Sequence, residues 1–339
     1  IAVSCKHRAQ VQLSFWANIN IIFIIISYMS FTSRLVVSSW IYKARSLNAS
    51  NHLSTALCRL GYDNRYCNMT TATNRSSSSS LSSFVVTPPT IPSLPVVGVD
   101  SLFPVHRIYC VGRNYADHAL EMGGDPSREP PFFFTKPADA IVPSNNNNAS
   151  SGVTTVVPYP LATSDLHHEI ELVIAIGQEG TNISVEDSEN HIYGYAVGVD
   201  LTRRDLQTIA KKASRPWDSA KAFDHSAPIS SIVPKSGFKP GKNNGNDDND
   251  GDNNQSDCSE ARIWLSVNGQ ERQNGKLSQM TWKIPEIVSI LSRQFHLQPG
   301  DLIFTGTPAG VGPLQKGDLV QGGVDGLEAS VEFTIVTSS

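Results

Sequence analysis

The sequence predicts an α+β fold that is mainly β, with short strands rolled or packed into a sandwich and a few peripheral helices. Nine segments are rich in β-branched and aromatic residues and are bounded by Gly, Pro, Asn or Asp, whereas three segments have helical periodicity. Many strands with few helices favour a mainly antiparallel sheet. The chain has 339 residues, of which 40% are hydrophobic, and this is enough for a sizeable core.

The predicted elements follow one another between residues 107 and 336. The nine strands cover residues 107–112, 131–137, 153–158, 169–177, 192–202, 262–269, 300–306, 317–323 and 327–336. The three helices cover residues 115–122, 204–213 and 285–295. In the last helix, Ile287, Leu291 and Phe295 recur at four-residue spacing, which is typical of an apolar helix face.

The first 98 residues are a different kind of polypeptide from the rest of the chain. Up to residue 99 there are eight lysine and arginine residues and the single acid Asp63, whereas the remainder has 19 basic and 30 acidic residues. From Met29 onward this segment is basic, Ser-containing and nearly free of acids, which is typical of an organelle transit peptide. We therefore expect residues 1–98 to be a disordered leader and linker. The expected location is mitochondrial, with a cytoplasmic location as the alternative.

Other functional classes are disfavoured by charge and composition. Residues 9–33 carry no charge and suggest a membrane anchor, but Asn18, Asn20 and Ser27 interrupt the run of about 20 apolar residues that a span needs. A net charge of −4 argues against a broad nucleic-acid surface. The five cysteines form no CxxC pair, so a reduced compartment is expected. We expect neither a membrane protein nor a nucleic-acid-binding protein.

An Asn- and Asp-rich insertion at residues 241–258 interrupts the folded part, residues 99–339. Low complexity of this kind predicts a surface loop. Its spacing superficially matches a calcium-binding loop. That interpretation is disfavoured, because such a loop needs a helix on each side and usually an apolar residue where this chain has Asn253.

Two glutamates alternate with apolar residues in the predicted strand 169–177. Since side chains at i and i+2 share one face of a strand, Glu169 and Glu171 point one way while Ile170 points the other. A solvated strand face is one interpretation. Residues 173–176, however, are apolar at odd- and even-numbered positions alike, which predicts a strand buried on both faces. Unpaired carboxylates would be costly there.

A divalent cation would relieve this cost, and a third carboxylate is available. Asp200 ends the strand-like run that follows. Three carboxylates without Cys or His favour hard Mg²⁺, with Mn²⁺ as the alternative, over zinc. The neighbouring His168 and Glu169 do not begin a zinc-protease motif, because Leu172 stands where that motif has its second His.

Three further side chains are candidates for catalysis. If the first predicted helix forms, His118 and Glu121 lie at i and i+3, where the carboxylate can orient the imidazole as a base. A surface contact is the alternative interpretation of this pair. Lys221 is an ordinary lysine unless it faces the cation. Residues 306–312 lack the GK[ST] ending of a phosphate loop and instead predict a tight turn that brings Thr307 near a ligand.

Together these segments resemble the fumarylacetoacetate hydrolase family, and most closely its acylpyruvase and oxaloacetate decarboxylase branch. The resemblance covers about residues 102–336. The matching pieces, in order, are VGRNYADH, FFFTKP, HHEIELVIAIG, YGYAVGVDLTRRDLQ, PWDSAKAFDHSAPI, IWLSVNGQERQ and GDLIFTGTPAGVG. The long leader and the Asn-rich insertions depart from the family pattern but leave every motif intact. The resemblance implies that residues 99–339 form a catalytic domain with the mixed β-roll of this family.

The resemblance also implies roles for individual residues. The Mg²⁺ ligands would be Glu169, Glu171 and Asp200. The catalytic residues would be a water-activating pair and a lysine that stabilises negative charge, namely His118, Glu121 and Lys221. The positions around the substrate correspond to Arg113, Arg204, Gln207 and Thr307. The implied partners are a small 2-oxo acid and a second copy of the chain in a homodimer.

The expected chemistry is cleavage of a carbon–carbon bond beside a 2-oxo acid. A cation that chelates the carboxylate and keto oxygens stabilises the pyruvate enolate formed when the C3 substituent leaves. Acylpyruvate hydrolysis and oxaloacetate decarboxylation both pass through this metal-bound enolate. An oxaloacetate keto–enol tautomerase is the nearest alternative, and an inactive metal-binding interaction protein is another.

Overall fold

Eighteen strands and four α-helices lie in the residues that the computed structural model describes, which are 84–116, 129–144, 154–239 and 260–338. The strands are β1 (Ser93–Val96), β2 (Val99–Pro104), β3 (Ile108–Gly112), β4 (Phe132–Lys136), β5 (Ile141–Pro143), β6 (Val156–Pro158), β7 (Leu166–His168), β8 (Ile170–Ile176), β9 (Ile192–Val199), β10 (Thr202–Arg203), β11 (Ala227–Ile229), β12 (Val233–Pro234), β13 (Arg262–Val267), β14 (Gln270–Lys276), β15 (Leu302–Phe304), β16 (Gly312–Leu314), β17 (Leu319–Val324) and β18 (Ser330–Val336). The helices are α1 (Ser188–His191), α2 (Arg204–Lys212), α3 (Asp218–Lys221) and α4 (Ile284–Gln294).

The strands form two large sheets and two small ones. The largest sheet has the order β4-β3-β15-β8-β9-β11-β5, with β12 also pairing with β9. The second has the order β14-β13-β17-β18-β6, and the small sheets are β10-β7-β16 and β1-β2. The pairs β3–β15, β5–β11 and β6–β18 are parallel, and the other strand pairs are antiparallel. The predicted mainly β, mainly antiparallel fold is therefore confirmed.

Strand β8 is buried along its whole length and has a hydrophobic core on each face. Ile170, Leu172 and Ile174 belong to the larger core, which also contains side chains from β13, β17 and β18 of the second sheet. Val173 and Ala175 belong to the second core. Burial of both faces explains why this segment is apolar at odd- and even-numbered positions alike. It also places Glu171, which shares a face with Val173, inside the protein.

The folded unit begins at Pro89, ahead of the expected domain start at residue 99. Strand β1 pairs with β2, and Leu94 is fully buried. The backbone N–H of Val97 donates to Ile232 O, and that of Ile232 donates to Pro95 O. Pro95 lies within β1, an edge strand of the two-stranded sheet, where a missing N–H is tolerated.

Two of the three predicted helices lie in the described residues, as α2 and α4. In α4, Ile287, Val288 and Leu291 are buried, while the Glu286 side chain accepts a hydrogen bond from Lys283 N at the start of the helix. This is the capping arrangement expected at an N-terminus. The predicted helix at residues 115–122 lies largely outside the described residues, as does the insertion at 241–258. Within the described part of the chain, no helix has the length and apolarity needed to cross a membrane.

Candidate active site

Three buried carboxylates converge at the junction of β7, β8 and β9. Glu169 lies between β7 and β8, Glu171 lies in β8, and Asp200 follows β9. The antiparallel register pairs Ile170 with Val199 and so places Asp200 opposite Glu169, where Asp200 N donates to Glu169 O at 2.8 Å. One oxygen from each carboxylate lies within 4.8 Å of the other two. The period-two argument from the sequence therefore describes this part of the site correctly.

The carboxylates strongly affect one another because water is excluded. Their residues are 0–5% exposed. Desolvation, together with the charges of Asp200 and Glu169, raises the pKa of Glu171 well above its usual range. The backbone N–H of Gly306, which donates to Glu171 Oε2 at 2.7 Å, and the charge of Lys221 oppose this rise only in part. The site therefore favours additional positive charge.

Lys221 at the end of α3 is fully buried and uses all its donors. Its Nζ donates to Glu169 Oε2 at 2.9 Å, to Asp200 Oδ2 at 2.6 Å and to Thr202 Oγ1 at 2.6 Å. Desolvation alone would lower the pKa of Lys221, but the charges of Asp200 and Glu169 outweigh it and raise that pKa. Lys221 is therefore held as a cation against two of the three carboxylates.

A second buried lysine, Lys136 at the end of β4, contacts the same group of carboxylates. Its Nζ lies 2.8 Å from Asp200 Oδ1 and donates to the backbone oxygens of Leu201 and Lys221. The Asp200 Oδ1 atom is itself buried and accepts no hydrogen bond of acceptable geometry. Asp200 Oδ1 can therefore still act as a ligand to a metal cation.

The donor set fits a hard divalent cation. Three carboxylates offer only oxygen ligands, and no cysteine or histidine joins the group among the described residues. Mg²⁺ and Mn²⁺ prefer such ligands. The raised pKa of Glu171 and the absence of a hydrogen bond to Asp200 Oδ1 are the signs expected where a bound cation would neutralise the group.

A pocket opens over the carboxylates. The residues expected at the site from the sequence, other than His118 and Glu121, all line this pocket: Arg113, Glu169, Glu171, Asp200, Arg204, Gln207, Lys221 and Thr307. The wall is completed by Val111, Gly112, Phe134, Lys211, Trp217 and Gly306. Basic side chains thus surround a carboxylate-lined floor, an arrangement suited to an anionic ligand that also contacts a cation.

Helix α2 presents three polar side chains to the pocket. Arg204, Gln207 and Lys211 lie at i, i+3 and i+7, on one helix face. Arg204 donates to Glu169 Oε1 and to Gln207 Oε1, each at 2.5 Å. Desolvation and the nearby charges of Arg113 and Arg204 lower the pKa of Lys211. The rim therefore has a surplus of positive charge.

The loop after β3 holds Arg113 in a strained conformation. Its φ is 55°, in the left-handed region that non-glycine residues seldom adopt. The next residue, Asn114, fixes this loop, because its Nδ2 donates to Trp282 O and Thr305 O while its Oδ1 accepts from Trp282 N. The strain is thus maintained by neighbouring hydrogen bonds at the edge of the pocket.

The turn after β15 brings Thr307 to the pocket. Gly306 has φ +96°, and a Cβ there would lie 2.7 Å from Asn114 Cβ, so only glycine fits without a shift. The same residue donates its N–H to Glu171. Thr307 is 2% exposed and lines the pocket.

Some sequence predictions concern residues that are not described, and some site residues were not predicted. His118 and Glu121 lie outside the described residues. Lys136, Asn114 and Lys211 were not among the predicted site residues. Lys136 follows Thr135 and directly precedes Pro137. The other residues of β4 are exposed or half-buried, so the strand gave no signal that this lysine would be buried.

Comparison of the sequence with known proteins identifies its family. Residues 107–335 match the sequence profile described as fumarylacetoacetate (FAA) hydrolase C-terminal. Mitochondrial oxaloacetate decarboxylase of Dictyostelium discoideum is 37% identical over 230 residues, which are 68% of this chain and 94% of the relative. Mitochondrial oxaloacetate tautomerase FAHD1 of Mus musculus is 38% identical over 232 residues, 68% of this chain and 92% of the relative. Fumarylpyruvate hydrolase of Ralstonia sp is 40% identical over 211 residues, 62% of this chain and 95% of the relative.

Solved structures show the same fold. Fumarylpyruvate hydrolase from Pseudomonas aeruginosa, crystallised with Mn²⁺ and pyruvate, matches with a TM-score of 0.66 and 45% identity over 76% of this chain and 100% of that chain. The 5-carboxymethyl-2-hydroxymuconate delta-isomerase from Mycobacterium smegmatis matches with a TM-score of 0.55 and 31% identity over 70% of this chain and 81% of that chain. The family resemblance inferred from the sequence is confirmed.

Proposed function

Because the chain belongs to the fumarylacetoacetate hydrolase family, we propose that it is a metal-dependent enzyme that cleaves a carbon–carbon bond in 2-oxo acids. The observation that carries this proposal is the convergence of three buried carboxylates below a pocket lined by basic side chains. Its substrates are acylpyruvates, oxaloacetate or both. Relatives named oxaloacetate decarboxylase and fumarylpyruvate hydrolase support this substrate class.

The cofactor is Mg²⁺ or Mn²⁺, held by Glu169, Glu171 and Asp200. When bound, the cation polarises the 2-oxo carboxylate and stabilises the negative charge that develops during cleavage. The Mn²⁺ and pyruvate in the Pseudomonas aeruginosa structure support this assignment.

Side chains of the chain itself bind and orient the substrate. Arg113, Arg204 and Gln207 bind a carboxylate of the substrate, and their position in the pocket lining supports this role. Lys221 Nζ adds a fixed positive charge where negative charge develops. His118 and Glu121 form the pair that takes a proton from the attacking water.

A second candidate is keto–enol tautomerisation of oxaloacetate, which needs the same cation and a proton shuttle but breaks no carbon–carbon bond. Relatives named oxaloacetate tautomerase FAHD1 in Mus musculus, Rattus norvegicus, Arabidopsis thaliana and Bos taurus favour it. Both candidates rest on the same buried carboxylates.

One experiment separates these activities. The purified protein is incubated with Mg²⁺ and either oxaloacetate or acetylpyruvate, while pyruvate release and keto–enol absorbance are followed separately. Pyruvate formation above the metal-only rate supports cleavage. A change in keto–enol absorbance without pyruvate supports the tautomerase, and neither signal from metal-loaded protein contradicts both candidates.

Residues 1–88 act as a leader that directs the catalytic domain, which begins at Pro89, to mitochondria, and the domain functions as a homodimer. The basic, acid-poor composition of the leader and the mitochondrial names of several relatives support this location.

A further inference from the structure

Gln273 is a fully buried amide in an otherwise polar and largely exposed strand, β14. Only Gln273 and Gly275 of the seven β14 residues are buried. A buried amide without hydrogen bonds would destabilise the fold, so each polar atom of Gln273 needs a partner. They come from two separate parts of the candidate site, the β7–β8 junction and the turn after β15.

On one side, Gln273 contacts the junction that contains Glu169. Its Oε1 accepts from Ile170 N at 3.1 Å and lies 2.9 Å from His168 Nδ1. These residues flank Glu169 in the chain. Gln273 therefore holds the backbone of Ile170 and the side chain of His168, the two neighbours of one expected metal ligand.

On the other side, Gln273 contacts the turn that contains Thr307. Its Nε2 lies 2.8 Å from Thr307 Oγ1 and 2.9 Å from Pro308 O. The turn packs closely on β14, because a Cβ on Gly275 would lie 2.7 Å from Pro308 Cβ. One side chain thus bridges the carboxylate strand and the pocket turn.

The backbone partners determine the direction of every hydrogen bond in this group. Ile170 N–H can only donate, so the atom facing it is the amide oxygen of Gln273. Pro308 O can only accept, so the atom facing it is the amide nitrogen. His168 Nδ1 must then carry a hydrogen, and Thr307 Oγ1 must accept one from Gln273.

The Thr307 hydroxyl therefore has its own hydrogen available for another acceptor. Within the described residues, no hydrogen bond donated by this hydroxyl is present, while Thr307 is buried and lines the pocket. A hydroxyl that already accepts from an amide can offer a ligand only its hydrogen. It would select an acceptor, such as an anionic oxygen.

We propose that Gln273 is a positioning residue that aims the Thr307 hydroxyl hydrogen into the pocket, so that Thr307 serves as a dedicated donor to an anionic oxygen of the bound 2-oxo acid. This inference rests on the proposed function and concerns how the same site recognises its substrate. Gln273 does not touch the substrate and acts through Thr307.

The test uses Gln273→Glu in the full chain loaded with Mn²⁺, with pyruvate as the probe. The carboxylate retains an acceptor for Ile170 and His168 but places a second acceptor opposite Thr307, so the hydroxyl turns away from the pocket. We expect the Kd of pyruvate to rise about 10- to 100-fold, the worth of a hydrogen bond to a charged group. Calorimetry would give this Kd, and the Kd of Mn²⁺ should change by only about threefold.

Three further variants separate positioning from general damage. Gln270→Glu makes the same side-chain change at an exposed position of β14 and should bind pyruvate like the wild type. Thr307→Val should weaken pyruvate binding as Gln273→Glu does, whereas Thr307→Ser should retain binding. In the Thr307→Val background, Gln273→Glu should add little, since the hydroxyl that it orients is already gone.

Unchanged pyruvate binding by a folded Gln273→Glu protein would overturn the inference, and so would full additivity with Thr307→Val. Should the Gln273 variant not fold, wild-type affinity in Thr307→Val would overturn it instead. Failure of the wild-type Mn²⁺-loaded protein to bind pyruvate would overturn the proposed function and the inference with it. Pyruvate binding and turnover by the wild type, with unchanged binding by the variants, would remove the inference alone.

Discussion

Lys136 Nζ and Asp200 Oδ1 lie 2.8 Å apart in a region that excludes water from both side chains, which are 0% and 1% exposed. Lys136 reaches Asp200 from the end of β4, an edge strand of the largest sheet. A buried charge pair of this kind depends on both partners, because either charge alone would be left without compensation. This pair ties the carboxylate group to an element more than 60 residues away in the chain.

Lys136→Met should destabilise the metal-free protein strongly. It leaves Asp200 without this charge partner and two backbone oxygens without their donor, so we expect the free energy of unfolding to fall by about 3–5 kcal/mol. Saturating Mg²⁺ should reduce the loss, since the cation supplies the missing charge. Urea unfolding with and without Mg²⁺ measures both quantities.

Lys276→Met is the matched control for that prediction. Lys276 pairs with Glu260 at the surface, with the two side chains 59% and 64% exposed. Exposed pairs contribute only about 0–1 kcal/mol. Equal losses from the two lysine substitutions would contradict the importance assigned to Lys136.

Glu171→Gln should have opposite effects with and without metal. In the metal-free protein it removes one of three mutually repelling carboxylates, so the melting temperature should rise by a few degrees. The wild type should gain about 2.7 kcal/mol at a cation concentration of 100 Kd, and the variant should lose that gain. Thermal unfolding in chelator and in Mg²⁺ or Mn²⁺ measures this, and a full metal-induced shift in the variant would rule out Glu171 as a ligand.

Asp205 should stabilise α2 in a pH-dependent manner. Desolvation opposes ionisation, but hydrogen bonds from Thr163 Oγ1, Ser164 N and Leu206 N outweigh it and lower the pKa of Asp205. A lowered folded-state pKa contributes stability above the unfolded value of 3.8, and this stability is lost as pH falls through the folded-state pKa. Asp205→Ala should therefore cost about 0.5–2 kcal/mol at pH 7 and much less once the pH falls below the folded-state pKa of Asp205.

The double variant Asp205→Ala/Thr163→Val checks the cause of that effect. If the Thr163 hydroxyl acts through Asp205, the two losses measured in urea at pH 7 should be clearly less than additive. A loss from Asp205→Ala that is independent of pH would show that the carboxylate charge is not responsible.

His118→Ala should separate the two cleavage reactions. General-base delivery of water typically contributes about 10²–10⁴-fold, so kcat for acetylpyruvate hydrolysis should fall by that order. Decarboxylation of oxaloacetate needs no attacking water and should fall much less. Asp200→Ala should suppress both reactions, because both need the cation.

The melting temperature of His118→Ala completes this test. A histidine that only packs a helix against the sheet would cause equal losses in both activities and a lower melting temperature. Equal losses of kcat for both substrates in a fully stable variant would contradict the proposed division of roles.

A chain that begins at Pro89 should fold and react like the full chain, whereas one that begins at Val99 should be less stable. The later start removes β1 with the buried Leu94 and Val96. Fully burying one such side chain contributes about 1.5–3 kcal/mol. Urea unfolding compares the two proteins, and equal stability would show that β1 is dispensable.

A reporter fusion tests the proposed targeting. Residues 29–88 joined to a fluorescent protein should enter mitochondria, because their basic and acid-poor composition is typical of a transit peptide. Diffuse cytosolic fluorescence would contradict the proposed targeting.

The parts of the fold that could be predicted are those with a strong local pattern. All nine predicted strands are present, because each is rich in the β-branched or aromatic residues that favour strands. Strand β14 was not predicted, since its sequence QERQNGK buries only Gln273 and Gly275. Its position depends on pairing with β13, which lies before it across a short turn, and not on any apolar period of its own.

The candidate site also contains residues that could be predicted from the sequence and residues that could not. Glu169 and Glu171 could be identified because the period of a strand places them on one face. Gln273 could not, because its partners His168 and Thr307 are 105 and 34 residues away and only the folded sheets bring them together. Composition carries no information about such distant contacts.

Because β8 is buried on both faces, the three carboxylates converge only when β8 and β9 are paired in the correct register. Sliding β8 by one residue against β9 would turn Glu171 toward the larger core and put Leu172 beside Asp200. No partly assembled or slipped sheet could then offer three converging carboxylates to an ion. Divalent-ion affinity should therefore arise only in the last step of assembly, and ion uptake during refolding would time the moment at which the register of the whole sheet is fixed.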